Sequence, residues 1–373
     1  EEWDLTLLSI CQSREEMAQP LPASSPFSRV HRVFLPRWKS CLQTAFAVVS
    51  GEALQIAYYR SSKFGRAVRE LAADHQVLLC HLLRTAPYGA GFEGPRILEL
   101  TDHLPLTYQR AMSLDRGRGG LLRTAYQIES RRVSAAQRRW APHFDLVSFV
   151  SDIDRSLFEG ETDVGAGKAI HFPVSVDLTA RPFTSGRQGY RMAFVGNLRT
   201  LQNRDAVQFF CSEVLPQVRS RVPQASLKVV GAVDPVFAKT MSGDGAVIFT
   251  GIVPSVADAV ADCCIGVCPV RIAAGMQNKV LDYMSVGLPT VTTSQGAEGL
   301  LLRDREHALV ADGPAGIADA VVGLLKDATL RDSIAAAARG LIEAEYALEA
   351  NTRKLRDRMR ALIDGFSRPG ARW

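Results

Sequence analysis

The chain lacks any long apolar run. No stretch of about 18 apolar residues occurs among its 373 residues, so we expect no transmembrane helix. The first residues also lack the pattern of a signal peptide. The seven cysteines do not have the paired spacing of a metal site. Cys263, Cys264 and Cys268 lie in or beside an apolar segment, where reduced thiols are typical, and this favours a cytoplasmic location.

A strong net charge is also absent, since 44 Lys and Arg oppose 39 Asp and Glu to leave +5. The cations are unevenly spread, however. Eight arginines lie between Arg110 and Arg139, where the only acidic residues are Asp115 and Glu129. Such a patch suits an anionic membrane surface or a nucleic acid, or is a solvated helix face. No nucleic-acid-binding motif accompanies it, so we expect no nucleic-acid partner and keep the membrane surface as a candidate.

Apolar strand-like segments alternate with helical segments along the chain, which predicts parallel sheets covered by helices. A chain of this length is long enough for two domains, and a turn-rich stretch over 177–190 separates two such halves. The predicted strands are 5–10, 30–35, 77–80, 96–100 and 146–150, then 192–196, 226–231, 247–251, 265–270, 289–293 and 308–311. The predicted helices include 56–71, 111–140 as one or two helices, 203–222 and 330–366.

The stretch over 270–300 predicts a site for an anion. An apolar strand ends in Arg271 and a flexible loop with Gly275, and a helix follows that carries Lys279 in its first turn. A helix N-terminus offers unpaired backbone N–H groups and a partial positive charge, which suits a phosphate. Asp282, one turn later, is a short acceptor suited to two ribose hydroxyls. Most glycine loops of α/β domains bind nothing, so a purely structural role is the alternative.

This stretch resembles the donor-binding signature of glycosyltransferases with the GT-B fold, of the family 4 type. Their pattern is P-x-R-x-x-x-G-x-x-x-K-x-x-E-x-M-x-x-G-x-P-V-V, followed by G-x-E-G-L. The likeness is closest to a bacterial subgroup associated with exopolysaccharide assembly, which carries R-x-x-x-G-x-Q-N-K-V-L-E. The first half is similar to the acceptor-side domain of the same enzymes. The matching signature residues are Pro269, Arg271, Gly275, Lys279, Asp282, Met284, Gly287, Pro289, Thr290, Val291, Gly296, Glu298, Gly299 and Leu300.

The resemblance implies an α/β protein with two Rossmann-like doubly wound domains that face each other across a cleft, the GT-B fold. The expected limits are 1–178 for an acceptor-side domain, 179–190 for a linker and 191–350 for the donor-binding domain. A helix over 351–373 is expected to return to the first domain. Family members normally have a strand and a glycine-rich loop ahead of the segment that resembles 5–10. We therefore expect either a truncated sequence or a differently built acceptor loop.

On the donor side, the resemblance implies that a diphosphate is bound by Arg271, Lys279 and the loop at Gly275, with the amides of Met276 and Gln277. Asp282 stands where family members usually have Glu, and would bind the ribose. The base is expected on the segment Thr250, Gly251 and Val253. Strand ends and the following helix add further expected donor contacts, and these are Gly196, Arg199 and Asn203.

On the acceptor side, Asp102 and His103 follow a predicted strand, where many relatives place a catalytic or orienting polar residue. Asp102 would accept a hydrogen bond from a sugar or acceptor hydroxyl. His103 is equally well explained as a structural loop histidine. No D-x-D motif lies near the donor site, so we expect no divalent cation and no cofactor. The implied reaction proceeds with retention, with the donor phosphate assisting deprotonation of the incoming hydroxyl.

The sequence thus predicts a cytoplasmic glycosyltransferase, with a peripheral position on the inner face of the membrane as an option. It would move a sugar from a UDP- or GDP-sugar to a glycan or lipid-linked acceptor in surface polysaccharide synthesis. A GT-B nucleotide-sugar epimerase is one alternative. A non-catalytic scaffold that binds sugar nucleotides or glycans is the other. Its support is the missing glycine-rich loop, Ala274 in place of the family's first glutamate and Gln202 in place of its usual Lys.

Overall fold

The structure, a computed structural model, describes residues 3–22, 25–114, 120–165, 167–243, 245–272 and 276–366. Contacts between Cα atoms divide the chain into two compact units. The first comprises Glu1–Phe149, Arg155–His171 and Asp357–Trp373, and the second comprises Val150–Asp154 and Phe172–Arg356. This division does not test the domain limits expected from the sequence, which remain a prediction.

The first unit contains two parallel sheets. One sheet pairs β1 with β2, and the other has the order β3-β4-β5-β6. Its strands are β1 (Thr6–Cys11), β2 (Arg29–Phe34), β3 (Leu78–His81), β4 (Arg96–Thr101), β5 (Leu146–Phe149) and β6 (Ala169–His171). Its helices are α1 (Arg14–Ala18), α2 (Arg37–Ser50), α3 (Leu54–Tyr58), α4 (Ser62–Ala72), α5 (Ala86–Gly89), α6 (Leu104–Leu114), α7 (Gly120–Trp140) and α8 (Asp152–Glu161), of which α8 begins in the second unit.

The second unit is built on one parallel sheet of six strands in the order β12-β11-β10-β7-β8-β9. The reversal of strand order beside β7 is the point at which such sheets bind ligands. Its strands are β7 (Arg191–Val195), β8 (Ser226–Val230), β9 (Val247–Gly251), β10 (Ile265–Cys268), β11 (Thr290–Thr292) and β12 (Leu309–Val310). Its helices are α9 (Leu201–Phe209), α10 (Leu215–Arg221), α11 (Pro235–Ser242), α12 (Val256–Ala259), α13 (Asn278–Ser285), α14 (Ser294–Ala297), α15 (Gly313–Lys326), α16 (Ala328–Leu341) and α17 (Leu348–Phe366).

Two of the helices predicted as single elements are broken by a residue in an extended conformation. The predicted helix over 56–71 is α3 and α4, because Ser61 adopts an extended conformation and its hydroxyl accepts a hydrogen bond from the Phe64 amide. The predicted helix over 330–366 is interrupted at Ala347. There the backbone of Val176 bonds to Tyr346 and Leu348, which removes the helical pairing at that point. From Asp357 onward the last helix groups with the first unit, and Arg358 donates to the Gly167 carbonyl.

Each unit has its own apolar core. In the second unit, α9, α13 and α15 bury their apolar faces against the sheet, as the 3.6-residue spacing of the sequence predicts. A smaller cluster lies around Tyr283 and Val260. The first unit packs its core around β4 and β5. Within the described ranges, no helix is long and apolar enough to cross a membrane.

Candidate functional site in the second unit

The glycine turns at the carboxyl ends of β7 and β8 form one side of the candidate site. Gly231 has φ of 135°, and a Cβ there would collide with the carbonyl oxygen of Gly196. The Gly196 amide donates to the Val230 carbonyl at 2.9 Å. Because only glycine permits this approach, the turns after two neighbouring strands pack backbone against backbone. They leave half-buried peptide groups at the edge where ligands of such sheets bind.

The N-terminus of α13 forms the other side. Gln277 occupies the N-cap position, and its side chain makes no capping hydrogen bond. The first amides of a helix have no partner within the helix, so an uncapped start leaves donors for an anion. Met276 is buried directly before this turn. The predicted phosphate-loop residue Gly275, and Ala274 beside it, lie outside the described residues.

Lys279 carries a positive charge into this corner. It is 8% exposed, and its Nζ donates to Gln277 Oε1 at 3.1 Å and lies 5.4 Å from the centre of the Phe194 ring. Among the residues the structure describes, no carboxylate lies within 4.0 Å of that Nζ. Buried charges in proteins are normally paired or bound to a ligand. This ammonium group is therefore suited to an anionic ligand at the helix start.

Arg271, the second predicted cation, is held in a different way. Its Nε and Nη2 donate to the two carboxylate oxygens of Asp205 at 3.1 and 2.7 Å, and its guanidinium lies 4.3 Å from the centre of the Phe209 ring. A bidentate pair fixes the plane of the guanidinium. Sequence reasoning missed Asp205 and Phe209, although their spacing of four residues on α9 places them on one helix face.

Tyr283 ties the helix to the sheet. Its hydroxyl accepts a hydrogen bond from the Val195 amide at 2.7 Å, one residue before Gly196, and lies 3.4 Å from the Val267 carbonyl. A Cβ at Gly266 would collide with the Tyr283 ring. Burial raises the pKa of Tyr283 well above its usual value, so the side chain stays a neutral phenol. Sequence reasoning also missed this residue. The signal that could have indicated it is Gly266, because a glycine inside a strand often marks the close approach of another group.

Asp282, the predicted ribose acceptor, already has a cationic partner. Arg181 Nη1 donates to Asp282 Oδ1 and lies 3.4 Å from Ser285 Oγ. The carbonyl of Arg181 in turn accepts a hydrogen bond from Arg339 Nη1 at 3.1 Å. Arg181 belongs to the segment predicted as a linker, so that segment contributes directly to this site.

The predicted base-binding segment lies at the end of β9. Thr250 is exposed, its hydroxyl donates to the Gly251 carbonyl at 3.1 Å, and Gly251 has φ of 74°. Val253 packs into the cluster around Tyr283, whereas Ile252 is largely exposed. The apolar surface available here is therefore Ile252, which lies within the predicted segment.

Asn203 and Arg199 shape the turn after β7. Asn203 Nδ2 donates to the Asn197 carbonyl at 3.1 Å, and Asn197 Oδ1 accepts from the Arg199 amide at 3.0 Å. Asn203 therefore closes the turn beneath Gly196. The Arg199 side chain is exposed.

The predicted acceptor-side residues, Asp102 and His103, lie in the first unit. β4 ends at Thr101, which has φ of 61°, a strained conformation for a β-branched residue and one that often marks functional sites. Asp102 follows and is half-buried. His103 is almost completely buried, with its Nε2 3.4 Å from Glu161 Oε1. That burial fits the structural alternative for His103.

The part of the chain that the structure describes contains no cluster of three His, Cys, Asp or Glu side chains arranged as metal ligands. The predicted absence of a divalent cation stays a prediction.

Comparison with known proteins places these features in a class. Residues 189–327 match the family model described as glycosyl transferases group 1. Sucrose-phosphate synthase from Thermosynechococcus elongatus superposes with a TM-score of 0.72 at 15% identity, over 97% of this chain and 90% of that one. Anabaena HepE, solved with UDP and glucose, superposes with a TM-score of 0.66 at 12% identity, over 96% of this chain and 100% of that one. No curated protein sequence matches this chain significantly.

TarM gives a TM-score of 0.62 at 12% identity, over 79% of this chain. Its G117R mutant from S. aureus has been solved with Fondaparinux, α-GlcNAc-glycerol and UDP. The chain spans 57% of TarM. These likenesses confirm the predicted fold class, two Rossmann-like domains of the GT-B type.

The chain therefore has the GT-B fold, with the candidate site at the switch point of the sheet in its second unit. The residues that match the family model, 189–327, all belong to this second unit.

Proposed function

We propose that the protein moves a sugar from a UDP- or GDP-sugar to a glycan or lipid-linked acceptor, as a family 4 type enzyme acting with retention and without a divalent cation. One observation carries the proposal. Lys279 is a buried cation at an uncapped helix start, with no carboxylate near its Nζ in the described part of the chain. A nucleotide diphosphate supplies the missing negative charge.

In this proposal the diphosphate lies at the N-terminus of α13, bound by Lys279, Arg271 and the amides of Met276 and Gln277. As the bond between the sugar C1 and the phosphate oxygen breaks, charge builds on the leaving diphosphate, and preorganised cations stabilise it. The acceptor oxygen forms the new bond to C1, and its proton passes to an oxygen of the leaving phosphate. Because Asp205 fixes the Arg271 guanidinium, that cation needs no reorientation during the reaction.

The nucleoside extends from the diphosphate toward the end of β9. Asp282 binds the ribose with Arg181 holding one of its carboxylate oxygens, and the base rests on Ile252 beside Thr250 and Gly251. HepE has been solved with UDP-glucose, and TarM with UDP and α-GlcNAc-glycerol, which supports a sugar nucleotide as the donor here. On the acceptor side we assign the polar contact with the acceptor or sugar hydroxyl to Asp102.

We further propose that the protein acts in surface polysaccharide synthesis in the cytoplasm, peripherally on the inner face of the membrane. The support is the basic composition of α7, where Arg123, Arg131, Arg138 and Arg139 are exposed and the one acidic residue, Glu129, is buried. An exposed row of cations attracts anionic headgroups. Arg116 and Arg118, which also belong to the predicted patch, lie outside the described residues.

The test is sugar transfer from a panel of UDP- and GDP-sugars to extracted glycan and lipid-linked acceptors. Lys279→Ala is expected to lower kcat/KM by about 30- to 1,000-fold, which is about 2–4 kcal/mol of transition-state stabilisation. Lys326→Ala, an exposed lysine at the end of α15, serves as the matched control and keeps the wild-type rate. An unchanged rate in Lys279→Ala refutes this placement of the diphosphate.

The same assay without acceptor separates the alternatives. A glycosyltransferase returns the sugar nucleotide unchanged or slowly hydrolysed, whereas an epimerase converts it to an isomer. Tight UDP or GDP binding with no turnover in any acceptor mixture indicates a scaffold and contradicts the proposed transfer.

A further inference from the structure

A short segment of the predicted linker, residues 181–187, lies against the carboxyl end of α13. Gly287 follows that helix with φ of 78°, and a Cβ there would collide with the carbonyl oxygen of Thr184. The Thr184 amide donates to the Val286 carbonyl at 3.3 Å. Because only glycine permits this approach, the linker segment packs backbone against backbone on the end of the helix.

Two arginines bind the last carbonyl groups of α13 and hold the linker segment there. Arg339 Nη1 donates to the Ser285 carbonyl at 2.6 Å, and Arg187 Nη2 donates to the Val286 carbonyl at 2.8 Å. Cations are favourable at a helix C-terminus, where they also satisfy carbonyls that have no partner within the helix. Arg339 Nη1 donates to the Arg181 carbonyl as well, at 3.1 Å. The backbone at Arg181 is therefore fixed relative to α13.

From this fixed backbone the Arg181 side chain reaches the candidate donor site. Its Nη1 donates to Asp282 Oδ1 and lies 3.4 Å from Ser285 Oγ. The side chains of Arg181 and Asp282 are 31% and 21% exposed, so the pair is only partly solvated. In the described part of the chain, the other carboxylate oxygen, Asp282 Oδ2, accepts no hydrogen bond. One oxygen of this carboxylate is thus held by the protein, and the other is left for a ligand.

We propose that Arg181 is a positioning residue for ribose recognition. It fixes the Asp282 carboxylate so that Oδ2, which has two lone pairs, accepts hydrogen bonds from both ribose hydroxyls. An aspartate has no further side-chain carbon with which to adjust its reach, so its contacts depend on how its carboxylate is held. The protein thereby distinguishes ribonucleoside from 2′-deoxyribonucleoside diphosphates. This role of Arg181 rests on the proposed function, because it requires the nucleotide to bind at α13.

Calorimetric titration with UDP and 2′-deoxy-UDP measures this discrimination, with GDP and 2′-deoxy-GDP as a second pair. Wild type is expected to bind the ribonucleotide about 10- to 100-fold more tightly, as for a hydrogen bond to a charged group. In Arg181→Gln the ratio is expected to fall to about threefold or less, because the carboxylate is no longer fixed. A merely structural role of Arg181 would weaken both nucleotides equally and leave the ratio unchanged.

Two further variants show whether Arg181 acts through Asp282. Asp282→Asn is expected to lower the ratio to the same level, and Arg181→Gln added to it should lower the ratio no further. Arg191→Gln is the matched control. Arg191 pairs with Asp262 in the same unit, but at the amino end of strand β7. This variant should keep the wild-type ratio.

Either of two results overturns the proposal. One is wild-type protein that binds UDP more tightly than uridine but binds 2′-deoxy-UDP as tightly as UDP, a result that requires no folded variant. The other is a ratio in Arg181→Gln equal to that of wild type. The diphosphate site at Lys279 would survive both results. Failure of the proposed function looks different, since neither UDP nor GDP would then bind more tightly than its nucleoside, and the role of Arg181 would fall with it.

Discussion

Helices α13 and α2 both carry a row of apolar residues at helical spacing, yet they present opposite faces to the protein. On α13, Val280, Leu281 and Met284 are buried, and the polar residues Lys279 and Asp282 are left for the candidate donor site. On α2 the apolar row is exposed and a serine is buried. The spacing of a sequence predicts that a helix has an apolar face, but the surroundings decide whether that face meets a core.

The surroundings of the two helices differ in an identifiable way. α13 connects the parallel strands β10 and β11, so one of its faces must cover the sheet. α2 follows β2, which within the described residues pairs only with β1, and is tied to its unit by hydrogen bonds from Gln12 and Arg132. The contrast leaves polar residues of α13 at the candidate donor site and leaves an apolar row of α2 exposed.

The same substitution made on both helices should show the largest difference. Leu281→Ala is expected to lower the free energy of unfolding of the second unit by about 2–5 kcal/mol, because it leaves a cavity in a packed core. Leu42→Ala should change that of the first unit by no more than about 0.5 kcal/mol. Urea unfolding followed by pulse proteolysis measures both. Equal losses would show that the α2 face is packed against protein.

A smaller effect is expected from Tyr283→Phe, which keeps the ring on α13 and removes its hydroxyl. The half-buried Val195 amide then loses its partner, which should cost about 1–3 kcal/mol of unfolding free energy. Tyr58→Phe is a suitable comparison, since that half-buried hydroxyl bonds only to the Gln12 side chain in the first unit. Nucleotide affinity should also fall in Tyr283→Phe, because the turn at Gly196 is no longer held against α13. Unchanged stability would contradict the anchoring role.

Cys211, a half-buried thiol of the second unit, should show an effect that is confined to alkaline pH. Burial raises the pKa of Cys211 from 9.0 to about 12. Below pH 9 this thiol is protonated in both states and its contribution to stability is complete. As the pH rises from 9 toward 12 the unfolded chain releases the proton first, and stability falls by about 1.4 kcal/mol per pH unit.

Cys211→Ala should therefore reduce the slope of unfolding free energy against pH by that amount. Ser212→Ala, at the neighbouring position on the same helical segment, removes no titrating group and should keep the wild-type slope. A Cys211→Ala slope equal to that of wild type would show that the thiol is solvated in the folded protein.

Much of the fold was predictable from the sequence because parallel strands and amphipathic helices leave strong periodic signals. The strand at 247–251 is found as predicted, and most other predicted strands shift by one or two residues at their ends. The short strand β6 and helix α2 were missed. β6 has three residues, too few for a periodic signal, and α2 offers no amphipathic pattern with a polar outer face.

The site was predictable to the extent that its residues lie within one local motif. Lys279, Asp282 and the helix start belong to a single strand–loop–helix segment, so their proximity follows from sequence spacing. Asp205 and Arg181 were missed because they reach Arg271 and Asp282 across 66 and 101 residues of sequence. Contacts of that kind depend on strand order, which sequence spacing does not encode.

The central claim is that a diphosphate binds at the start of α13, and calorimetric titration with UDP and uridine tests it most directly. For wild type we expect UDP to bind far more tightly than uridine. Lys279→Met, which keeps the length of the side chain and removes its charge, should weaken UDP binding at least about tenfold and leave uridine binding unchanged. Equal UDP affinity in the two proteins would contradict the claim.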